Sequence, residues 1–493
     1  MHSILTLLWN VDHPAGAIRA AILGADLLAL LTIPSVLIRR AGKPLAALSW
    51  ILALVSLPVV GLLLWWLLGR THLERHTRRR RGLQIRWKEP EPREPVPEEL
   101  RPIVRRLLPF AVPGRRWTEG VFPPVPATSV ELLVDGAEAF PAMEEAIAAA
   151  KFDIRALFYI WQVDDAGRRM CELLARKAED GVRVRVLVDA VGSSSFLRKL
   201  APGLRDRGVR VAGFLPADFR PWAPTFNFRN HRKLLAIDGN RAVIGGMNIG
   251  DEYVERWHDW AVGLRGPVVA DLVDVFNEDW RFTTEEGLDE TPPAQGIEQS
   301  GAARVRGGET GPAFCTVIAS GPDRDENRIH DAFFLAISTA EERVWLSTPY
   351  LVPSLPIVGA LRGAAQRGVD VRILTGKDCD VRLVGLASRS YYRVLLESGV
   401  RIFEYAGRTL HAKGLLVDRE MTFVGSANTD VRSFRLNFEL GCFVLSRGFN
   451  TLVAEVFEED VRQSANVSLE TSRKEVGWRV AVESAANLLS PLL

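Results

Sequence analysis

One eighteen-residue pattern occurs twice in this chain, 180 residues apart. The first copy, HRKLLAIDGNRAVIGGMN, runs from His231 to Asn248, and the second, HAKGLLVDREMTFVGSAN, from His411 to Asn428. Both read H-x-K, then Asp at Asp238 or Asp418, Gly at Gly245 or Gly425, and Asn at Asn248 or Asn428. Each His also has a carboxylate 28 residues downstream, Asp259 or Glu439. Only eight His occur in 493 residues, four of them in the first 76, and two of the remaining four head these copies. A chain built this way is expected to fold as two halves that bring two imidazoles to one cleft.

The flanking segments repeat too. The first half is predicted to run helix (Ala137 to Lys151), strand (Ile154 to Ile160), helix (Gly167 to Glu179) and strand (Gly181 to Asp189). The second matches it with helix (Asn327 to Ala340), strand (Arg343 to Ser347), helix (Leu355 to Gln366) and strand (Gly368 to Gly376). Short segments from Gly208 and Gly399 lead towards each His. Alternating strands and helices predict an α/β fold with a largely parallel sheet per half. The repeat predicts pseudo-two-fold symmetry, with the deepest cleft between halves. Expected boundaries are 128–283 and 313–493, with linkers at 82–127 and 284–312 that are rich in Pro, Glu and Gly. Gly245 and Gly425 suit a tight turn that returns Asn248 and Asn428 to the His.

The N-terminus has a different character. Leu45 to Leu68 is 24 residues without a charge, and Ala20 to Ile38 is a second apolar run weakened by Asp26 and Pro34. About 20 apolar residues cross a ~30 Å hydrocarbon core, so residues 1–81 predict a transmembrane helical hairpin, helices 20–38 and 45–68. Arg70, Arg75 and Arg78 to Arg81 outnumber Arg39, Arg40 and Lys43, which favours a body on the cytoplasmic side of the membrane. Through Arg81 ten Lys/Arg face three Asp/Glu, yet the whole chain is only +2, so the body is acidic and does not suit nucleic acid. The four cysteines form no CxxC and predict no zinc site.

The residue types set the chemistry. Lys233, Lys413, Asn248 and Asn428 supply donors that suit an anionic phosphate without a metal or cofactor. Of two imidazoles, one can attack phosphorus and the other can move a proton. Asp259 and Glu439 are expected each to bond a ring nitrogen and fix its tautomer. Asp238 and Asp418 either pair with a lysine in the site or cap strand ends. Phe214, Phe219, Trp222, Phe226 and Phe228 either line an acyl-chain path or pack. Val476 to Leu493 either lies on a membrane or packs on the body.

The paired motifs resemble the signature of the phospholipase D superfamily, H-x-K-x4-D-x6-G-S-x-N in duplicate. With the hairpin, and with FYIWQVDDAG, STPYLVPS and RSFRLNFE, the chain is similar to the bacterial cardiolipin synthases of that superfamily. The resemblance implies a phosphatidyltransferase that forms cardiolipin and glycerol from two phosphatidylglycerols through a phosphohistidine. It implies a membrane phospholipid as substrate, His231 as nucleophile and His411 as acid/base, with Lys233, Asp238, Lys413 and Asp418 in the catalytic set. Ser426 fits the signature, whereas Gly246 stands where the first copy should have Ser. A hydrolytic phospholipase D, another phosphatidyltransferase, a nuclease and an inactive membrane scaffold are the competing readings. The acidic body and hairpin weigh against the nuclease, and the two intact His-Lys-Asn sets weigh against the scaffold.

Overall fold

The computed structural model describes residues 14–40, 44–66, 98, 100–107, 121–215, 228–286, 304–305, 313–323, 327–470 and 477–488. Phe219, Trp222, Phe226 and Arg78 to Arg81 lie outside these. The chain divides into two compact units, Met1–Arg79 with Ala217–Asn227, and Arg80–Pro216 with Phe228–Leu493.

The N-terminal unit holds helices α1 (Pro14–Arg39), α2 (Pro44–Ser56) and α3 (Pro58–Leu64). The expected helix 45–68 is therefore broken. Pro58 lacks an N–H, and its ring keeps Leu57 out of the helical region, at φ −137° and ψ 70°. Ala29, Val36, Ala47, Leu54 and Trp65 make a small interior, with the Trp65 ring edge-on to Trp50 at 5.2 Å. The outward side chains are apolar as well: Leu27, Leu31, Leu52, Val59 and Leu63 are all more than half exposed. Among the described residues no helix is both long and apolar enough to cross a membrane.

The second unit contains two sheets of one design. The first has β1 (Ser129–Val134), β2 (Asp153–Phe158), β3 (Arg183–Asp189), β4 (Arg210–Phe214), β5 (Leu234–Ile237), β6 (Arg241–Gly245) and β7 (Trp260–Arg265), in the order β1-β7-β6-β5-β2-β3-β4. The second has β8 (Phe314–Ser320), β9 (Arg343–Ser347), β10 (Asp370–Gly376), β11 (Arg401–Tyr405), β12 (Gly414–Val417), β13 (Met421–Gly425) and β14 (Asn437–Leu445), in the matching order β8-β14-β13-β12-β9-β10-β11. Among these fourteen strands only β2-β3-β4 and β9-β10-β11 are parallel. The other pairs are antiparallel, which corrects the expectation of largely parallel sheets. Helices Asp165–Glu179 and Leu355–Gln366 provide the crossovers that parallel pairing needs, whereas the turn from β5 to β6 is only Asp238 to Asn240 and returns the chain antiparallel.

The two sheets share one interior. Trp260, Phe276 and Trp280 pack there with Trp345, Phe438, Cys442 and Phe457, and each fully buried aromatic contributes ~1.5–3 kcal/mol. Parts of both expected linkers belong to this unit. The helix Arg101–Leu107 sends Val104 into the second repeat's core, and Val125–Pro126 pairs with β8. Arg304–Val305 adds an edge strand to β1. The C-terminal helix Trp478–Leu488 packs Ala486 against Val352, Val384 and Ala387, while Trp478 is 79% exposed. Phe214 and Phe228 are buried, Phe214 against Phe282 and Phe438.

The motif aspartates hold joints of the fold. Asp238 and Asp418 have φ of 49° and 51°, a left-handed conformation that Asp tolerates. Asp238 accepts the N–H groups of Lys151, Phe152 and Asp153 at 2.8 Å. Asp418 accepts those of Glu341, Glu342 and Arg343 at 3.0, 2.7 and 3.3 Å, and Arg106 meets its second oxygen at 2.8 Å. Each carboxylate thus closes the step from a helix into β2 or β9. Asp418→Ala leaves those donors without an acceptor and is expected to lower the unfolding free energy by on the order of 2 kcal/mol. Chemical denaturation reads this directly, and an unchanged midpoint refutes the role.

Candidate active site

Each H-x-K segment is stitched to the opposite repeat. Arg229–Asn230 pairs in parallel with the start of β14, and the His231 N–H donates to the Phe438 carbonyl at 2.9 Å. Thr409–Leu410 pairs in parallel with Trp257–His258, and the His411 N–H donates to the His258 carbonyl at 2.7 Å. The next residue in each partner strand is the carboxylate found by spacing. His231 Nδ1 lies 3.1 Å from both Glu439 oxygens, and His411 Nδ1 lies 2.5 Å from Asp259 Oδ2. Sequence spacing linked each carboxylate to the His of its own copy, but the structure exchanges them. A carboxylate accepts, so Nδ1 carries the hydrogen and Nε2 keeps its lone pair.

The remaining motif residues divide. Lys233 Nζ donates to the His231 carbonyl at 2.6 Å and lies 5.5 Å from the Tyr159 ring centre, and Lys413 Nζ donates to the His411 carbonyl. Both H-x-K triplets lie just ahead of β5 and β12 rather than within them. Asp238 and Asp418 do not reach the imidazoles, being at the far ends of β5 and β12. Asn248 donates to the Tyr253 hydroxyl at 2.6 Å and accepts from the Ile160 N–H at 3.0 Å, so its amide is engaged with the fold. Asn428 lines the cavity beside His231. Ser426 donates to Glu439 and accepts the Leu440 N–H at 3.0 Å, which makes it a support for the carboxylate.

The glycines follow from close approach rather than from turn geometry, since neither Gly245 nor Gly425 has positive φ. A Cβ on Gly245 would lie 2.5 Å from the Trp260 carbonyl oxygen, and one on Gly425 would lie 2.7 Å from the Gly441 Cα. At Gly246 a Cβ would lie 2.3 Å from Asp259 Oδ1. Asp is one methylene shorter than Glu, so the Asp259 carboxylate fills the space that a serine would need. The departure from the signature and the shorter carboxylate meet at this one contact.

Burial dominates the electrostatics. It pushes His231 down to about 4, with Glu439 opposing and Lys233 reinforcing. Burial, Lys413 and Lys233 hold His411 well below its ordinary value. Burial likewise lowers Lys233 strongly and Lys413 to about 8. Burial raises Asp259 to about 6 against the pull of Lys413. Burial also works to raise Glu439, but His231, Lys233 and Ser426 outweigh it and hold it below the usual range. Both imidazoles are thus neutral at neutral pH. A cavity of about 410 Å³ opens on His231, walled by Tyr159, Arg229, Tyr350, Asn428, Arg432 and Asn437 among others. Among the described residues no cluster of three or more His, Cys, Asp or Glu is arranged to hold a metal ion.

Several neighbours were not singled out as site residues in the sequence. Tyr159 meets the His231 ring at 4.9 Å, and Trp257 meets His411 at 4.5 Å. His258 is clamped between Asp135 at 2.8 Å and Asp460 at 2.9 Å, and Arg408 also meets Asp135. Burial works to lower His258, but its two aspartates raise it to about 9. Asp135, with two cationic partners, is held below the usual range, whereas burial leaves Asp460 above it. This charged His258 presents the carbonyl that positions His411. Its adjacency to Asp259 was visible in the sequence, but its partners, 123 and 202 residues away, were not.

Residues 143–280 and 334–461 match the family model described as cardiolipin synthase, PLD-like domain, and residues 26–70 match one described as phospholipase D-nuclease N-terminal. A cardiolipin synthase of Geobacillus sp. is 35% identical over 463 residues, covering 92% of this chain and 89% of the relative. Cardiolipin synthase A of Pseudomonas entomophila is 38% identical over 391 residues, covering 76% and 77%. The crystal structure of a phosphatidylserine synthase from Haemophilus influenzae has the same fold, with a TM-score of 0.56 at 18% identity over 75% of this chain and 97% of that one.

Two outcomes follow from this geometry. Gly246→Ser is expected to displace Asp259, lowering thermal stability and activity together, and a variant with both intact removes the steric account. The raised His258 pKa stabilises the fold fully below the unfolded value of 6.5 and ceases to do so as pH rises through about 9. Melting temperature should therefore decline across that window, with His258→Gln flattening the decline. Parallel curves for the two proteins would exclude the clamp.

Proposed function

Because the chain belongs to the cardiolipin synthase family of phospholipase D-like proteins, we propose that it condenses two phosphatidylglycerols to cardiolipin and glycerol. The observation that carries this reading is the crossed pairing, in which each imidazole is held at Nδ1 by the other repeat and leaves Nε2 for a shared phosphorus.

In the first half-reaction His231 Nε2 bonds to the phosphorus of the donor lipid, and the bond to the glycerol oxygen breaks. His411 gives that oxygen a proton. His411 is neutral in the free site, and the arriving phosphodiester anion favours its protonation. Lys233 and Lys413 balance charge on the phosphoryl oxygens. The position of His231 on the cavity wall supports it as nucleophile. In the second half-reaction an acceptor hydroxyl gives its proton to His411 as its oxygen displaces the His231 nitrogen. Water competes at this stage, and Tyr159 and Trp257, packed on the two rings, narrow its access.

The N-terminal helices are proposed to enter the bilayer, with the body on the cytoplasmic side. Their exposed leucines and valines, which have no polar outer face to offer water, support insertion. The arginine excess after the second apolar run supports the sidedness. Lipid substrates are then already concentrated where the enzyme resides.

The test is incubation of the full-length protein with phosphatidylglycerol micelles, following cardiolipin, phosphatidic acid and glycerol. Cardiolipin with glycerol is expected, and phosphatidic acid alone makes the protein a hydrolase. His231→Ala and His411→Ala should each reduce turnover by ~10²-fold or more. With rising pH the rate should fall through about 8 as Lys413 loses its proton. A flat alkaline limb to pH about 10 removes charged Lys413 from the mechanism.

A further inference from the structure

The catalytic residues repeat, but their charged surroundings do not. The copies align at a constant offset of 180 from His231 to Asp259 and from His411 to Glu439. At that offset Arg229 corresponds to Thr409, and Arg432 to Glu252. Both arginines line the cavity that opens on His231, and both neighbour Tyr159. Two acids, Asp189 and Asp430, lie within electrostatic reach of Arg432. Asp189 accepts the N–H groups of Val191, Gly192 and Asn230, and Asp430 accepts that of Ser433 at 2.6 Å.

From this asymmetry we infer that Arg229 and Arg432 hold the phosphate of the acceptor lipid, so that one side of the cavity is an acceptor subsite. The inference rests on the synthase reading and adds to it the residues that select the second substrate. Phosphatidylglycerol as acceptor carries its own phosphodiester anion, three carbons away from the hydroxyl that attacks. That anion cannot use the two lysines, which serve the reacting phosphorus. The planar forks of two guanidiniums on one cavity wall suit phosphate oxygens. Burial and then Arg229 lower the proton affinity of Arg432, while Tyr159, Asp430 and Asp189 oppose them.

With its phosphate held there, the lipid presents its primary hydroxyl to the phosphohistidine. The hydroxyl oxygen bonds to phosphorus, the phosphorus–nitrogen bond breaks with its electron pair returning to His231 Nε2, and the hydroxyl proton passes to His411. Water and simple alcohols carry no phosphate and gain nothing from the arginines. The subsite therefore favours transfer to lipid over hydrolysis.

The test compares two acceptors with the full-length protein in phosphatidylglycerol micelles containing ethanol. Cardiolipin reports the lipid acceptor, and phosphatidylethanol reports one without phosphate. In Arg229→Gln and Arg432→Gln the ratio of cardiolipin to phosphatidylethanol should fall tenfold or more, with phosphatidic acid gaining at the expense of cardiolipin. Arg432→Lys should restore part of the ratio. A proportional fall of both products, as misfolding or a donor-side role produces, overturns the inference, and so does an unchanged ratio. Wild-type protein that makes phosphatidylethanol but no cardiolipin overturns the synthase reading itself, so the two failures are distinguishable.

Discussion

The hydrogen bond between each imidazole and a carboxylate from the other repeat is the constraint around which this structure is organised. It needs His231 beside Glu439 and His411 beside Asp259, which requires the strand leads of each repeat to pair with the opposite H-x-K segment. The two sheets also share an interior, to which β7 contributes Trp260 and β14 contributes Leu440 and Cys442. The carboxylates fix both tautomers, and burial keeps both rings neutral. The site thus has two bases of the same kind, set in different surroundings.

Those surroundings are unequal in three respects. His231 opens to a cavity whose wall includes Arg229 and Arg432. His411 sits behind Trp257 and Tyr253 and is anchored by the charged His258 clamp. Glu439 is steadied by Ser426, whereas Asp259 presses against Gly246. The two halves have matching parts, and each differs from the other around its own carboxylate.

Much of this was legible in the sequence because repetition acts as an internal control. The two H-x-K copies, the 28-residue spacing and the paired helices and strands all have counterparts in the fold. What was not legible depended on contacts across long separations. Spacing along one copy could not reveal that Asp259 and Glu439 are exchanged between halves. A strand pattern could not separate parallel from antiparallel pairing where a three-residue turn decides it. Asn248 carries the same motif position as Asn428, but Tyr253 occupies its amide, and Ser433 stands at the matching place in the second copy. The apolar run of residues 45–68 reads as one helix by hydropathy, while Pro58 interrupts its hydrogen bonding.

The exchange of carboxylates bears on how the protein is made. His231 is translated more than two hundred residues before the Glu439 that orients it, and Asp259 waits similarly for His411. An emerging chain with a folded first half therefore has an imidazole but no partner to set its tautomer, and a carboxylate with nothing to hold. Both imidazoles therefore gain their oriented form only when the second repeat has folded onto the first.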